Sequence, residues 1–170
     1  ENTGQYAGAI IAVTDSELLI LTPDTAVESA DEIFVTLSDG TEVEGTKKQA
    51  DKIKGLAVIS IDKTNIPEEK LNTIEPFLLG NSYTVRAGDL VLSVGAPAGM
   101  PYSFDYGAVN YIAQNTQAID GTAELMFVGL KGNAEAGTFI LNTAGEIVGW
   151  VTDKYYRDAE QEAVIAEGIS

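Results

Sequence analysis

Short apolar runs, each closed by Gly, Asp, Asn or Pro, recur roughly every 8–12 residues along this chain, a rhythm that points to an all-β sandwich or a pair of barrels. Ala7–Val13 and Glu17–Thr22 flank the turn Thr14-Asp15-Ser16. Ile33–Leu37 runs into Asp39-Gly40 and then Thr41–Glu44. Asp-Gly between alternating apolar positions predicts a hairpin, of type I′ if both central residues take positive φ. Gly55–Ile61 is almost wholly apolar and reads as a strand buried on both faces. Asp89–Val94, Gly107–Ala113 and Leu125–Leu130 continue the series, with a Gly/Pro/Ala turn over Gly95–Pro101. Gly137–Leu141 and Glu146–Thr152 close it, joined by a turn at Asn142–Gly145. Asp158–Ala166 is the one helix-like stretch. Asn65–Phe77 breaks the pattern with two prolines and three glutamates and serves as a linker. It splits the chain into an N-terminal half, 1–70, and a C-terminal half, 71–170.

Composition removes most catalytic chemistries. The 170 residues include 26 acidic and 10 basic ones, a net charge of −16, and neither histidine nor cysteine. No Ser-His-Asp or Cys-His pair can be assembled, and no His- or Cys-ligated zinc, disulfide or thiol redox site. The acid excess argues against nucleic-acid binding, which needs a basic patch, and against docking on anionic membranes. No cofactor is expected. No run approaches the ~20 apolar residues of a membrane-spanning helix. Because Glu1 is not an initiator methionine, any signal or anchor is expected upstream.

The remaining chemical signals are weak. Asp24-Thr25-Ala26 after an apolar run is similar to the Asp-Thr-Gly loop of aspartic proteases, but those need two carboxylates sharing a proton. The carboxylates at Asp15/Glu17, Glu28/Asp31/Glu32 and Glu68/Glu69 lack the spacing of a helix-loop-helix calcium site and read as solvated surface. Gly95–Gly99 lacks the lysine of a phosphate loop. Trp150 reads as core.

Taken in order, several blocks resemble trypsin-like serine proteases of the bacterial HtrA/Deg branch. Tyr6–Val13 stands where that family has its opening strand, and Glu32–Gly40 (EIFVTLSDG) matches its strand and Asp-Gly hairpin. Leu79–Gly99 (LGNSYTVRAGDLVLSVGAPAG) matches the segment that opens the second barrel. Asp105–Ala108 (DYGA) and Leu141–Gly149 (LNTAGEIVG) follow at the family's spacing. The resemblance implies a trypsin-like double β-barrel, two six-stranded antiparallel barrels forming one protease-fold domain.

It also implies where the family's machinery would sit. Leu21–Val27 (LTPDTAV) lies at the histidine motif, putting Thr25 at the base. The GLAVI block puts Gly55 at the orienting acid, and Ala134–Phe139 (AEAGTF) puts Ala136 at the nucleophile. A threonine accepts no proton at neutral pH, glycine has no side chain and alanine has no nucleophile. Ala134 replaces a glycine that shapes the oxyanion donors. The expectation is therefore a non-enzyme, a pseudoprotease whose partners are proteins or peptides added as a strand beside the second barrel. The cleft is expected near Gly129–Gly137 and Trp150–Tyr156, with Ala134, Glu135, Gly137, Trp150 and Thr152 as binding residues. A purely structural domain and a hydrolase using Asp24 are the alternatives. By the same resemblance, a PDZ domain and a membrane anchor are expected elsewhere in a longer extracytoplasmic protein, with the oligomeric state open.

Overall fold

The computed structural model describes residues 4–95, 103–118, 121–130, 134–152 and 164–169 of the chain. It divides into two compact units, Gly8–Phe77 and a second made of Leu78–Ser170 with the first seven residues. Both are built almost entirely from antiparallel strands.

The unit Gly8–Phe77 holds β1 (Ala9–Val13), β2 (Glu17–Pro23), β3 (Ile33–Thr36), β4 (Glu42–Asp51) and β5 (Leu56–Asp62), with a short helix α1 (Glu68–Leu71). Its sheet order is β1-β2-β5-β4-β3, so the described residues give five strands here against the six expected. Register breaks at Ile10/Ala12 and Lys47/Gln49 mark bulges, which bend and twist strands locally. Leu18, Ile20, Val43, Ala57, Ile59 and Ile61 supply much of the core. β5 was expected to be buried on both faces. It alternates instead: Ala57, Ile59 and Ile61 face the core while Leu56, Val58 and Ser60 are half-buried, the pattern of a strand covered on one face. β4 runs well past the expected Glu44, because its polar second half, Thr46 to Asp51, pairs with β5.

The hairpin at Asp39-Gly40 forms, but not as a type I′ turn. Only Gly40 has positive φ, at 86°. Gly40 N–H donates to the Leu37 carbonyl at 2.9 Å, and Leu37 N–H donates to the Thr41 carbonyl at 2.8 Å. This is a three-residue loop with a left-handed glycine closing it. Asp39 stays out of the left-handed region because its carboxylate accepts the Thr41 N–H at 2.9 Å, an Asx-type turn.

α1 fastens this hairpin to the linker. The Lys70 ammonium pairs with the Asp39 carboxylate and also donates to the Thr41 hydroxyl. The Lys70 hydrogen bond, with the donors at Thr41, holds the Asp39 carboxyl well below the usual carboxylate range. The folded chain therefore binds fewer protons at Asp39 than the unfolded chain does as pH falls below about 3.8, the ordinary Asp value. Asp39 contributes fully above that pH and loses its contribution progressively below it. Asp39→Asn is expected to flatten the fall in stability between about pH 4 and pH 2 while changing little in the slope above pH 5, as read by urea unfolding at each pH.

The second unit holds β6 (Leu90–Gly95), β7 (Ser103–Ala118), β8 (Gly121–Leu130), β9 (Phe139–Leu141), β10 (Ile147–Val151) and β11 (Val164–Gly168). They close into a six-stranded barrel in the order β10-β11-β8-β7-β6-β9, the closure expected of the second barrel. Val91, Val109, Met126, Val128, Ile140, Val148 and Ala166 fill its interior. Each branched or long side chain fully buried there stabilises by roughly 1.5–3 kcal/mol. The expected helix over Asp158–Ala166 is corrected where it can be seen: 164–166 belong to β11, paired with β8 on one side and β10 on the other. Residues 158–163 of that stretch, and 96–101 of the Gly95–Pro101 turn, lie outside the described residues.

Candidate functional site

At the end of β2, Pro23 is the last paired residue, opposite Leu56 at the start of β5. Proline's fixed φ and missing N–H suit a strand end. The chain then makes one 3-10 turn, Asp24–Ala26, closed by Val27 N–H donating to the Asp24 carbonyl at 3.0 Å. Asp24 N–H donates to the Gly55 carbonyl at 3.0 Å, which brings Thr25 and Gly55 to the same end of the β2–β5 pair. Thr25 is exposed; Asp24 is 6% exposed.

Gly55 is a turn residue with φ of 75°. It closes the β4–β5 hairpin by donating its N–H to the Asp51 carbonyl at 2.8 Å. The Asp51 carboxylate accepts the Ile53 N–H at 2.9 Å and the Lys54 N–H at 3.1 Å, so the loop is built before any function is asked of it. A side chain at Gly55 must adopt left-handed backbone. Gly55→Asp is expected to cost about 1 kcal/mol, less than a β-branched residue there, because Asp tolerates that region better than most. Equilibrium urea unfolding measures it, and a neutral or stabilising result overturns the expectation.

Nearby charge is arranged around this end. Lys52 pairs with Glu28 at 2.7 Å, and that hydrogen bond, followed by the attraction of Glu28 and then of Asp24, raises the Lys52 ammonium above its ordinary value. Both partners are exposed, so the pair adds little to stability.

In the barrel unit, Glu135–Thr138 forms a turn in which Thr138 N–H donates to the Glu135 carbonyl at 3.1 Å. Gly137, at the third position, has φ of 89°, as a type II turn requires. Two main-chain bonds tie the turn to β10: Gly137 N–H to the Val151 carbonyl at 2.8 Å, and Val151 N–H to the Thr138 carbonyl at 2.7 Å. Gly95 lies against Thr138 so closely that a Cβ there would meet the Thr138 Oγ1 at 2.7 Å.

The residues expected to bind peptide fall into two groups. Ala134 is half-buried, and Glu135 and Ala136 are exposed. Gly137, Trp150 and Thr152 are buried. Trp150 pairs with Phe139 on one side and Glu167 on the other, and Thr152 N–H donates to the Ile165 carbonyl at 3.1 Å. β10 therefore presents no open edge over the described residues. Residues 131–133 and 153–156 of the expected cleft lie outside them. Among the described residues no three Asp or Glu side chains converge as a metal site, and no helix is long and apolar enough to cross a membrane.

Residues 8–149 match the family described as the trypsin-like peptidase domain. A DegP-like periplasmic serine endoprotease of Pseudomonas savastanoi pv. phaseolicola is 31% identical over 133 residues, which are 76% of this chain and 26% of that protein. The serine endoprotease DegS of Haemophilus influenzae is 29% identical over 154 residues, 89% of this chain and 42% of that one. The chain thus spans less than half the length of these relatives. The HtrA-type protease AlgW, solved with a decapeptide, superposes with a TM-score of 0.70 at 23% identity, covering 95% of this chain and 47% of AlgW. The fold is that of the HtrA proteases. One expectation does not stand: the chain was read as a non-enzyme, whereas the relatives it matches are named serine endoproteases. A closed six-stranded barrel, a second antiparallel sheet and a family match across most of the sequence lead to one assignment, that this chain belongs to the trypsin-like peptidase family, with HtrA-type proteases as its relatives.

Proposed function

We propose that this chain is the peptide-engaging, HtrA-type domain of a larger extracytoplasmic protein, and that Thr25, Gly55 and Ala136 stand at the family's histidine, aspartate and serine positions. One observation carries the reading: the Glu135–Thr138 turn presents Ala136 to solvent while two main-chain bonds fix its base to β10. Ala134, Glu135 and Ala136 are the contact residues in this reading. Gly137, Trp150 and Thr152 are buried, and Val151, between the last two, holds the turn through its main chain. The periplasmic relatives and the decapeptide described with AlgW support the location and the class of ligand.

A net charge of −16 favours basic peptides by steering them in and repelling acidic ones. Fluorescence anisotropy with basic, neutral and acidic decapeptides tests this. Basic peptides are expected to bind at least ~10-fold tighter than acidic ones at low salt, with the gap narrowing as salt rises. Glu135→Lys is expected to shrink that preference. Absence of binding by all three classes at millimolar peptide sinks the proposal.

A second reading addresses hydrolysis. The chain has no histidine, so a proton acceptor must come from another group. Asp24 is a buried carboxylate beside Thr25, held by its N–H to Gly55. Casein turnover that falls by ~100-fold or more in Asp24→Asn supports Asp24 as the base. Turnover unchanged by that substitution rejects it.

A further inference from the structure

The C-terminal barrel contains a buried polar group that the proposed function does not use. Glu124 lies on β8 in alternation with Met126 and Val128, which line the barrel interior, so its carboxylate turns inward. It is 8% exposed, and both carboxylate oxygens are buried without a hydrogen-bond partner. Ser82, 1% exposed, has a hydroxyl in the same condition. The two meet at Gly168, one residue past the Glu167–Leu125 pair of β11 and β8. A Cβ placed on Gly168 would lie 2.5 Å from the Ser82 Oγ and 3.3 Å from Glu124 Oε1. Glycine at 168 thus lets the Ser82 side chain pack against the main chain of β11 with its hydroxyl beside the Glu124 carboxylate. Opposite Glu124, the β7–β8 register skips between Ala113 and Thr116, with Asn115 at φ of 55°.

Burying a carboxylate without a partner is costly, and so is burying an orphan hydroxyl. The three oxygens are hard donors, with no nitrogen or sulfur among them, and they carry one formal negative charge. We propose that Glu124 and Ser82 hold a small, hard monovalent cation of the sodium class, its coordination completed by main-chain or solvent oxygen. A divalent ion fits less well. Calcium takes six to eight oxygens and magnesium a strict octahedron, and either leaves a net positive charge beside a single carboxylate. The −16 charge of the chain also raises the local concentration of cations. The ion would lock the end of the barrel where β11, β8 and the 3-10 turn Ser82–Thr84 meet, Ser82 N–H already donating to the Ile169 carbonyl at 2.6 Å.

Thermal unfolding of the chain at fixed ionic strength, with sodium chloride exchanged for choline chloride, tests the site. Tm is expected to be about 3–6 °C higher in sodium. That difference should vanish in Glu124→Gln and shrink in Ser82→Ala. Sodium-23 NMR of the unaltered chain should show line broadening that excess lithium, another small hard monovalent cation, competes away. Should Glu124→Gln fail to fold, Ser82→Ala and the NMR measurement decide. Equal midpoints in sodium and choline, or a sodium effect that survives in Glu124→Gln, overturn the proposal in favour of a group satisfied by water. Stabilisation by micromolar calcium on top of saturating sodium overturns the monovalent assignment.

Discussion

Gly107→Ala is expected to lower the free energy of unfolding by roughly 3 kcal/mol or more, among the largest effects of any single methyl group in this chain. A Cβ on Gly107 would come to 2.0 Å from the Gly129 carbonyl oxygen and 2.8 Å from its carbon. Both are main-chain atoms, so no side chain can rotate away. β8 cannot retreat without cost either, because it is paired with β7 on this side and with β11 on the other, within a closed barrel. The contrast is Gly129→Ala. There the nearest atoms are the end of the Asn110 side chain, at 3.1 and 3.2 Å, and they can give way. That change is expected to cost about 1 kcal/mol, the ordinary scale for a small overpacking that a flexible neighbour absorbs. Urea unfolding of the two variants side by side measures the difference. If both cost the same, or Gly107→Ala costs less than about 1 kcal/mol, the close approach of β7 and β8 does not set the cost.

The strand runs with strong apolar content were legible from the sequence: β2, β6 and β10 begin and end within a residue or two of the expected places. What escaped were pieces whose structure is imposed by neighbours. The second half of β4, Thr46 to Asp51, carries two lysines and a glutamine and is extended because β5 pairs with it. β11 opens on the β-branched pair Val164-Ile165, but the Ala- and Glu-rich sequence just before it favours a helix reading; its pairing with β8 and β10 makes it a strand. The Asp39-Gly40 signal located its hairpin but not its type, since a side-chain bond from Asp39 competed with the left-handed conformation.

The site is legible to a lesser depth. Glu124 shares a face of β8 with Met126 and Val128, but the other face, Ala123, Leu125 and Phe127, is just as apolar, so the sequence alone does not say which face turns inward. Gly55 looked like a deleted acid; its φ of 75° shows a second constraint, the turn that joins β4 to β5. Trp150 and Thr152, expected as binding residues, are buried, Trp150 within the ladder and Thr152 just past the end of β10. Strand periodicity tells which face a residue takes but not whether both edges of its strand are already paired.

Phe139→Ala is expected to cost about 3–5 kcal/mol and to loosen the Glu135–Thr138 turn ahead of global unfolding. Phe139 is 2% exposed and heads the largest fully buried side chains in the described residues. It opens β9, a strand of only three residues, between Val94 of β6 and Trp150 of β10. A strand that short contributes few ladder bonds, so its place depends on what its side chains bury, and Phe139 contributes most of that at the end next to the turn. Truncating it leaves a void against Trp150 and frees Thr138, whose carbonyl accepts the Val151 N–H. Hydrogen exchange should therefore show the Gly137 and Val151 amides losing protection by a larger factor than the Val109 and Val128 amides in the barrel interior. Phe139→Leu keeps most of the volume and is expected to cost under about 1.5 kcal/mol with little change at those amides. Peptide affinity supplies the functional readout. If the turn is the contact surface, affinity falls in Phe139→Ala and is retained in Phe139→Leu. Affinity retained in Phe139→Ala, with Gly137 and Val151 unprotected, would place peptide binding elsewhere on the chain.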